Sequence, residues 1–160
     1  MKLIMKEMNE EFAKDILNWK YEKPYDFYNN ELTDEGMEEL LDGSYHALVD
    51  DDKDLIGFFC IGKTAQVSIG IQYGVYKDDL IDIGLGMSPT RVGKGKGYEF
   101  CSFILKLIEE KYKSTSIRLT VATFNQRAIH LYEKLGFVIE NEFNTDFAEF
   151  ITMVKQVNLK

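Results

Sequence analysis

The 160-residue sequence is short of soft metal ligands: it contains two cysteines and two histidines. With His46 and His130 as the only imidazoles, a zinc site would have to be built almost entirely from carboxylates, so no metal is expected. Cys60 and Cys101 each lie inside an apolar run, and neither has a second Cys or His at ligand spacing, which points to buried, reduced thiols. No stretch approaches the ~20 apolar residues that a membrane span needs. The opening MKLIMKEMNEEF is charged too early for a signal peptide, so a soluble, cytosolic (cytoplasmic) protein with no membrane partner is expected. Basic charge is also deficient, with 19 Lys and Arg against 27 Asp and Glu and a net charge of −8. A nucleic-acid partner needs a basic face and is excluded on that ground, whereas an acidic field draws in a cationic or amine-bearing substrate. Linkers, internal repeats and composition shifts are missing too, and 45% hydrophobic content is enough for a core, so residues 1–160 are expected to form one domain.

What is present reads as mixed α/β. Leu3 to Met8 suggests a strand, and Phe12, Ile16, Leu17 and Trp19 recur at nearly helical spacing. Lys20 to Asn30 carries Tyr21, Tyr25, Phe27 and Tyr28 around Pro24 and reads as a loop. Thr33 is placed to cap a helix through Leu41, with Gly43 beyond its end. A hairpin follows, Tyr45 to Val49 and Leu55 to Ile61 around a turn at Asp50 to Asp54, whereas residues 64–79 show no clear period. From Leu80 to Met87, Ile81, Ile83, Leu85 and Met87 alternate with a face holding Asp82, Gly84 and Gly86, a strand with one side of nearly bare backbone. Phe100, Phe103, Ile104, Leu107 and Ile108 mark a helix to about Tyr112. The expected remainder is a strand at Ile117 to Val121, a helix at Gln126 to Leu135, and closing strands at Phe137 to Phe143 and Phe147 to Val157.

The run from Met87 to Gly97 places Gly93, Gly95 and Gly97 between that strand and that helix. Glycine admits positive φ and close approach of a ligand, and the first amides of a helix lack intrahelical acceptors. Together they form an anion site aided by the helix dipole, for which phosphate or pyrophosphate is the natural occupant. The NTPase phosphate loop requires Ser or Thr after Gly-Lys, but here glycine follows both Lys94 and Lys96. The dinucleotide fingerprint requires G-x-G-x-x-G early in the chain, but here the spacing is G-x-G-x-G past its middle.

Pro89 followed by Val92-Gly93-Lys94-Gly95-Lys96-Gly97 resembles the Q/R-x-x-G-x-G/A loop of the GCN5-related N-acetyltransferases, with Val92 where Gln or Arg is usual and Arg91 one place earlier. Asn125, Ala128, Tyr132, Gly136 and Phe137 fall on the same family's second signature, N-x-x-A-x-x-x-Y-x-x-x-G-F. The resemblance implies a central, mostly antiparallel twisted sheet of about six to seven strands flanked by helices. It also implies acetyl-CoA as the cofactor, held by the backbone at Leu85, Gly86 and Met87 and from Val92 to Gly97, with Asn125 bonding the pantetheine arm and the Tyr132 hydroxyl near the thioester sulfur. An ordinary tyrosine, with pKa near 10, is protonated at neutral pH and suits donation to a leaving thiolate. The residues also admit plainer roles. Asn125 is a common N-cap, Tyr132 shares a buried stripe with Ala128, Leu131 and Leu135, and Lys94 and Lys96 either neutralise phosphate or are simply solvated.

The implied reaction is direct attack of an amine on the thioester, with Tyr132 as acid and Asp82 as the candidate base, pairing of Asp82 with a lysine being the alternative. In the family the N-terminal half shapes the acceptor site, which points to Glu22, Tyr25 and Asp26. They would hold a cationic or aromatic amine, or else belong to a hydrophobic lid. The acceptor is left open between a small molecule and a peptide amine, and homodimerisation, common among similar proteins, is undecided. Two other classes stay open: a non-catalytic acyl-CoA sensor, and a binding domain for another phosphate ligand.

Overall fold

The structure is a computed structural model that describes residues 2–156. Its strands are β1 (Ile4–Glu7), β2 (Tyr45–Val49), β3 (Leu55–Ile61), β4 (Ile81–Met87), β5 (Ile117–Ala122), β6 (Val138–Asn144) and β7 (Glu149–Lys155). Its helices are α1 (Glu10–Asn18), α2 (Asp34–Leu40), α3 (Ser68–Gln72), α4 (Gly97–Lys111) and α5 (Gln126–Lys134). The strands form one sheet in the order β1-β2-β3-β4-β5-β7-β6. β1 with β2, β2 with β3, and β7 with both β5 and β6 are antiparallel, whereas β4 with β5 is parallel. A parallel join needs a crossover, and α4 supplies it. The expected mixed fold with a mostly antiparallel sheet is therefore observed. The expected end of the last strand at Val157 lies outside the described residues. Among the described residues no helix is long and apolar enough to cross a membrane.

The chain divides into two compact units. The first comprises residues up to Cys60 together with Leu85–Gly97. In it Asn9 Oδ1 caps α1 by accepting the Phe12 N–H at 2.9 Å, and Thr33 Oγ1 caps α2 by accepting the Gly36 N–H at 3.0 Å. The caps fix where each helix begins, so Ala13, Ile16, Leu17 and Leu40 meet as a core bordered by Trp19, Tyr45 and Phe58. The turn between β2 and β3 folds around Asp50, whose Oδ1 accepts the N–H groups of Asp52 and Asp54, both at 3.0 Å.

The second unit comprises Ile61–Gly84 and the residues from Tyr98 on. Val75, Ala122, Phe143 and Phe150 form one of its cores. The stretch without a clear period contains a 3₁₀ turn at Lys63–Ala65 and the five-residue α3, both too short to show one. Polar bonds hold this stretch in place. Arg118, 1% exposed, donates Nε–H to Asp82 Oδ1 at 2.6 Å and Nη2–H to Asp82 Oδ2 at 2.8 Å. Gln66 donates to the same Asp82 Oδ2 at 2.9 Å, and Arg118 Nη1 donates to the Val75 carbonyl at 3.3 Å. The Tyr76 ring lies 5.0 Å from the Arg118 guanidinium, and its hydroxyl accepts the Val67 N–H and bonds Thr120. Hydrogen bonding to Asp82 raises the Arg118 pKa further, while burial raises that of Tyr76, so the guanidinium stays charged and the phenol neutral.

Removing one member of this pair strands the other as a buried charge. Arg118→Met is expected to cost about 3–5 kcal/mol in urea unfolding, and Asp82→Leu combined with Arg118→Met to recover most of that loss.

Candidate active site

β4 presents its main chain differently on its two sides. Gly62 donates N–H to the Asp82 carbonyl at 2.9 Å and Ser88 donates to the Ile56 carbonyl at 2.8 Å, so the even-numbered groups face β3. Ile81 N–H bonds the Ser116 carbonyl at 3.0 Å, so the odd-numbered groups face the β5 side. The register with β5 covers Ile81, Asp82 and Ile83. Leu85 and Met87 lie past it, with their N–H and C=O groups directed to that side by strand alternation. Of the backbone donors expected at Leu85 to Met87, the two odd-numbered residues are the ones directed to the β5 side.

The face at Gly86 is not bare. A Cβ built on Gly86 would lie 2.5 Å from Phe58 Cε1 and 2.6 Å from Phe58 Cζ, so the Phe58 ring fills the space beside Gly86. Strand alternation shows which side a glycine opens but not which neighbour closes it. Asp82 also departs from expectation. Both its oxygens are engaged by Arg118 and Gln66 in a buried site, so its carboxylate serves the fold instead of taking a substrate proton, and its partner is an arginine, not a lysine. A charged residue flanked by Ile or Leu on both sides in each of two strands, Asp82 between Ile81 and Ile83 and Arg118 between Ile117 and Leu119, was the available signal for such a pair.

Beyond Met87 the chain turns tightly. The Arg91 and Val92 N–H groups both donate to the Ser88 carbonyl, at 2.9 and 3.1 Å, so the Val92 amide is spent within the turn and not left for a phosphate. Gly93 and Gly95 then take φ of +71° and +76°, a region that favours glycine. α4 starts at Gly97, and its first-turn amides lack intrahelical acceptors. Of the loop expected to cradle phosphate, residues 93–97 follow this spent amide, with Lys94 and Lys96 exposed among them. Arg91 sits 3.3 Å from Asp50 Oδ2 and 3.7 Å from Asp54 Oδ2. Asp50, Asp52 and Asp54 bring carboxylate oxygens within 4.8 Å of one another, and Arg91 supplies positive charge to that cluster while tying the glycine turn to the β2–β3 turn.

The second signature is a helix with both ends closed. Asn125 Oδ1 accepts the Ala128 N–H at 3.2 Å and opens α5. Gly136 ends it at φ +99°, and the Phe137 N–H returns to the Tyr132 carbonyl at 3.0 Å, the six-to-one bond of a Schellman ending. The Phe137 ring meets the Tyr132 ring edge-on at 6.0 Å. Tyr132 is 9% exposed, and of the stripe expected with it Ala128, Leu131 and Leu135 are only half-buried, Ile129 being the other buried residue of α5. Of the acceptor candidates, Glu22 and Asp26 are exposed and Tyr25 is half-buried in a 3₁₀ turn at Tyr25–Tyr28. The Cys60 and Cys101 thiols are buried, and burial pushes Cys101 up to about 12, so it is no nucleophile at neutral pH.

The Acetyltransferase (GNAT) family model matches residues 7–137, and the chain belongs to this family of acetyltransferases. No match was found among curated protein sequences. Among solved structures, a chimera of the spermidine N-acetyltransferase SpeG from Vibrio cholerae and hSSAT gives a TM-score of 0.69 at 22% identity, covering 98% of this chain and 96% of that one. A GNAT-family acetyltransferase from Bacillus anthracis gives 0.73 at 14% identity, covering 98% and 95%. At these identities the likeness concerns the fold.

No atom lies within 4 Å of a Cβ built on Gly95, so Gly95→Ala introduces backbone strain without a clash. It is expected to cost about 1–2 kcal/mol of stability and, by distorting the turn, to weaken acetyl-CoA binding about tenfold or more in calorimetry.

Proposed function

We propose that this protein transfers the acetyl group of acetyl-CoA to the primary amine of a small cationic acceptor, without a covalent enzyme intermediate. The observation that carries the reading is the glycine turn with positive φ at Gly93 and Gly95, leading from the end of β4 into the first turn of α4. Main-chain donors from residues 93–97 would hold the pyrophosphate, and Asn125 would bond the pantetheine arm. Family membership supports assigning both to one cofactor.

Acetyl-CoA supplies an activated thioester. Leu85 and Met87 N–H groups would donate to its carbonyl oxygen as negative charge develops there. The neutral amine would form the new C–N bond as the C–S bond breaks, its surplus proton passing to solvent water while the Tyr132 hydroxyl protonates the sulfur and regains its proton from solvent. The burial of both thiols, which in Cys101 also holds the thiol protonated, supports direct transfer over an acyl-cysteine route.

The acceptor class rests on charge. Glu22, Asp26, Glu31, Asp34, Glu35, Glu38 and Glu39 are all exposed between α1 and the end of α2, where Lys20 and Lys23 are the basic residues. Such a surface attracts amines carrying more than one positive charge. Spermidine, named for one of the similar structures, belongs to that class.

A CoA-release screen across polyamines, aminosugars, aromatic amines and peptides tests the reading. Polyamines are expected to react best, and Tyr132→Phe to lower kcat by about 10²-fold or more, within the range of general acid catalysis. Silence of the whole panel despite acetyl-CoA binding would favour a sensor, and binding of ATP but not CoA would refute the cofactor assignment.

A further inference from the structure

The segment joining α1 to α2 is closed at its neck and anchored at one point on β3 and one at the end of β4. Tyr21 donates its N–H to Asn29 Oδ1 at 2.7 Å, and Lys20 Nζ donates to the Asn30 carbonyl at 2.7 Å, tying the two ends of the loop together. Inside the loop Tyr25 N–H bonds the Glu22 carbonyl at 2.8 Å and Asn29 N–H bonds the Asp26 carbonyl at 3.0 Å. Glu22, Tyr25 and Asp26 thus belong to one closed unit. Its apolar anchor is Trp19, whose ring centroid lies 6.0 Å from that of Phe58, the ring seated over Gly86. Its polar anchor is the Tyr21 hydroxyl, which donates to the Met87 carbonyl at 2.6 Å.

We propose that Tyr21 is a positioning residue that sets the acceptor loop against the acetyl-presenting end of β4, and so governs how the amine is held for attack. The inference rests on the functional reading above and adds to it a role for Tyr21 that its place among the loop aromatics did not specify. The Tyr21 hydroxyl uses the Met87 carbonyl and leaves the Met87 N–H for the acetyl carbonyl. Its removal should therefore act on the acceptor side and spare acetyl-CoA binding. Transfer depends steeply on alignment of the amine, which makes one docking bond visible in kinetics.

The test is Tyr21→Phe, with the best amine from the screen. The expected result is a fall of roughly 3- to 10-fold in kcat/KM for the amine, the size of one net hydrogen bond, with acetyl-CoA affinity in calorimetry changed less than about twofold. Asn29→Ala, which opens the neck and keeps the hydroxyl, should shift the amine kinetics in the same direction. It also serves as the second arm if Tyr21→Phe folds poorly. Lowered thermal stability with unchanged amine kinetics in both variants would overturn the positioning role and leave the functional reading intact. Equal losses of amine and acetyl-CoA affinity would overturn it as well. A wild type that acetylates no amine would overturn both.

Discussion

A guanidinium and a carboxylate, both withdrawn from water, face each other at the register Asp82↔Arg118, one residue before the recorded pairing of β4 with β5 ends at Ile83↔Leu119. Buried charges persist when paired and hydrogen-bonded throughout, and here two N–H···O bonds, a glutamine and a main-chain carbonyl meet that need. The same bonds hold the stretch from Gln66 to Tyr76, which has little regular structure of its own. Past Ile83, the odd-numbered residues Leu85 and Met87 lie beyond the β5 register, and the Met87 carbonyl takes the Tyr21 hydroxyl. The proposed chemistry uses the N–H groups of Leu85 and Met87.

The two family signatures acquire physical meaning from their local geometry. Glycines in the loop permit positive φ at two positions, and Arg91 anchors the turn to Asp50 in place of a side chain reaching for phosphate. The second signature describes how a helix starts and stops. Asn125 closes its first turn, Gly136 ends it in the left-handed region, and Phe137 returns both an N–H and a ring to Tyr132. A motif that marks function is thus also a motif that fixes the orientation of α5, and the roles of Asn125 and Tyr132 as cap and buried ring are compatible with the cofactor roles proposed for them.

Most elements were legible because local signals agreed. Thr33 and Asn125 mark helix starts, the acidic turn at Asp50 to Asp54 separates two apolar runs, and the β4 alternation is unbroken from Ile81 to Met87. The stretch at 64–79 was not legible, because its helical turns are shorter than the period that would reveal them. Partners were the other gap. Asp82 looked like a free carboxylate on an open strand face, and Gly86 looked like empty space, since a single strand shows its own alternation and nothing of Arg118 or Phe58.

By itself the sequence determined the kind of fold, the glycine turn that begins α4 and the capped helix carrying Tyr132, because each rests on bonds between residues a few positions apart. The tertiary structure alone decided that Asp82 is a structural anion, that Phe58 covers Gly86, that Arg91 belongs to the β2–β3 turn, and that Tyr21 reaches Met87 across 66 positions of chain. Those choices require residues distant in sequence to meet, and the packing that brings them together leaves no periodic trace in either segment.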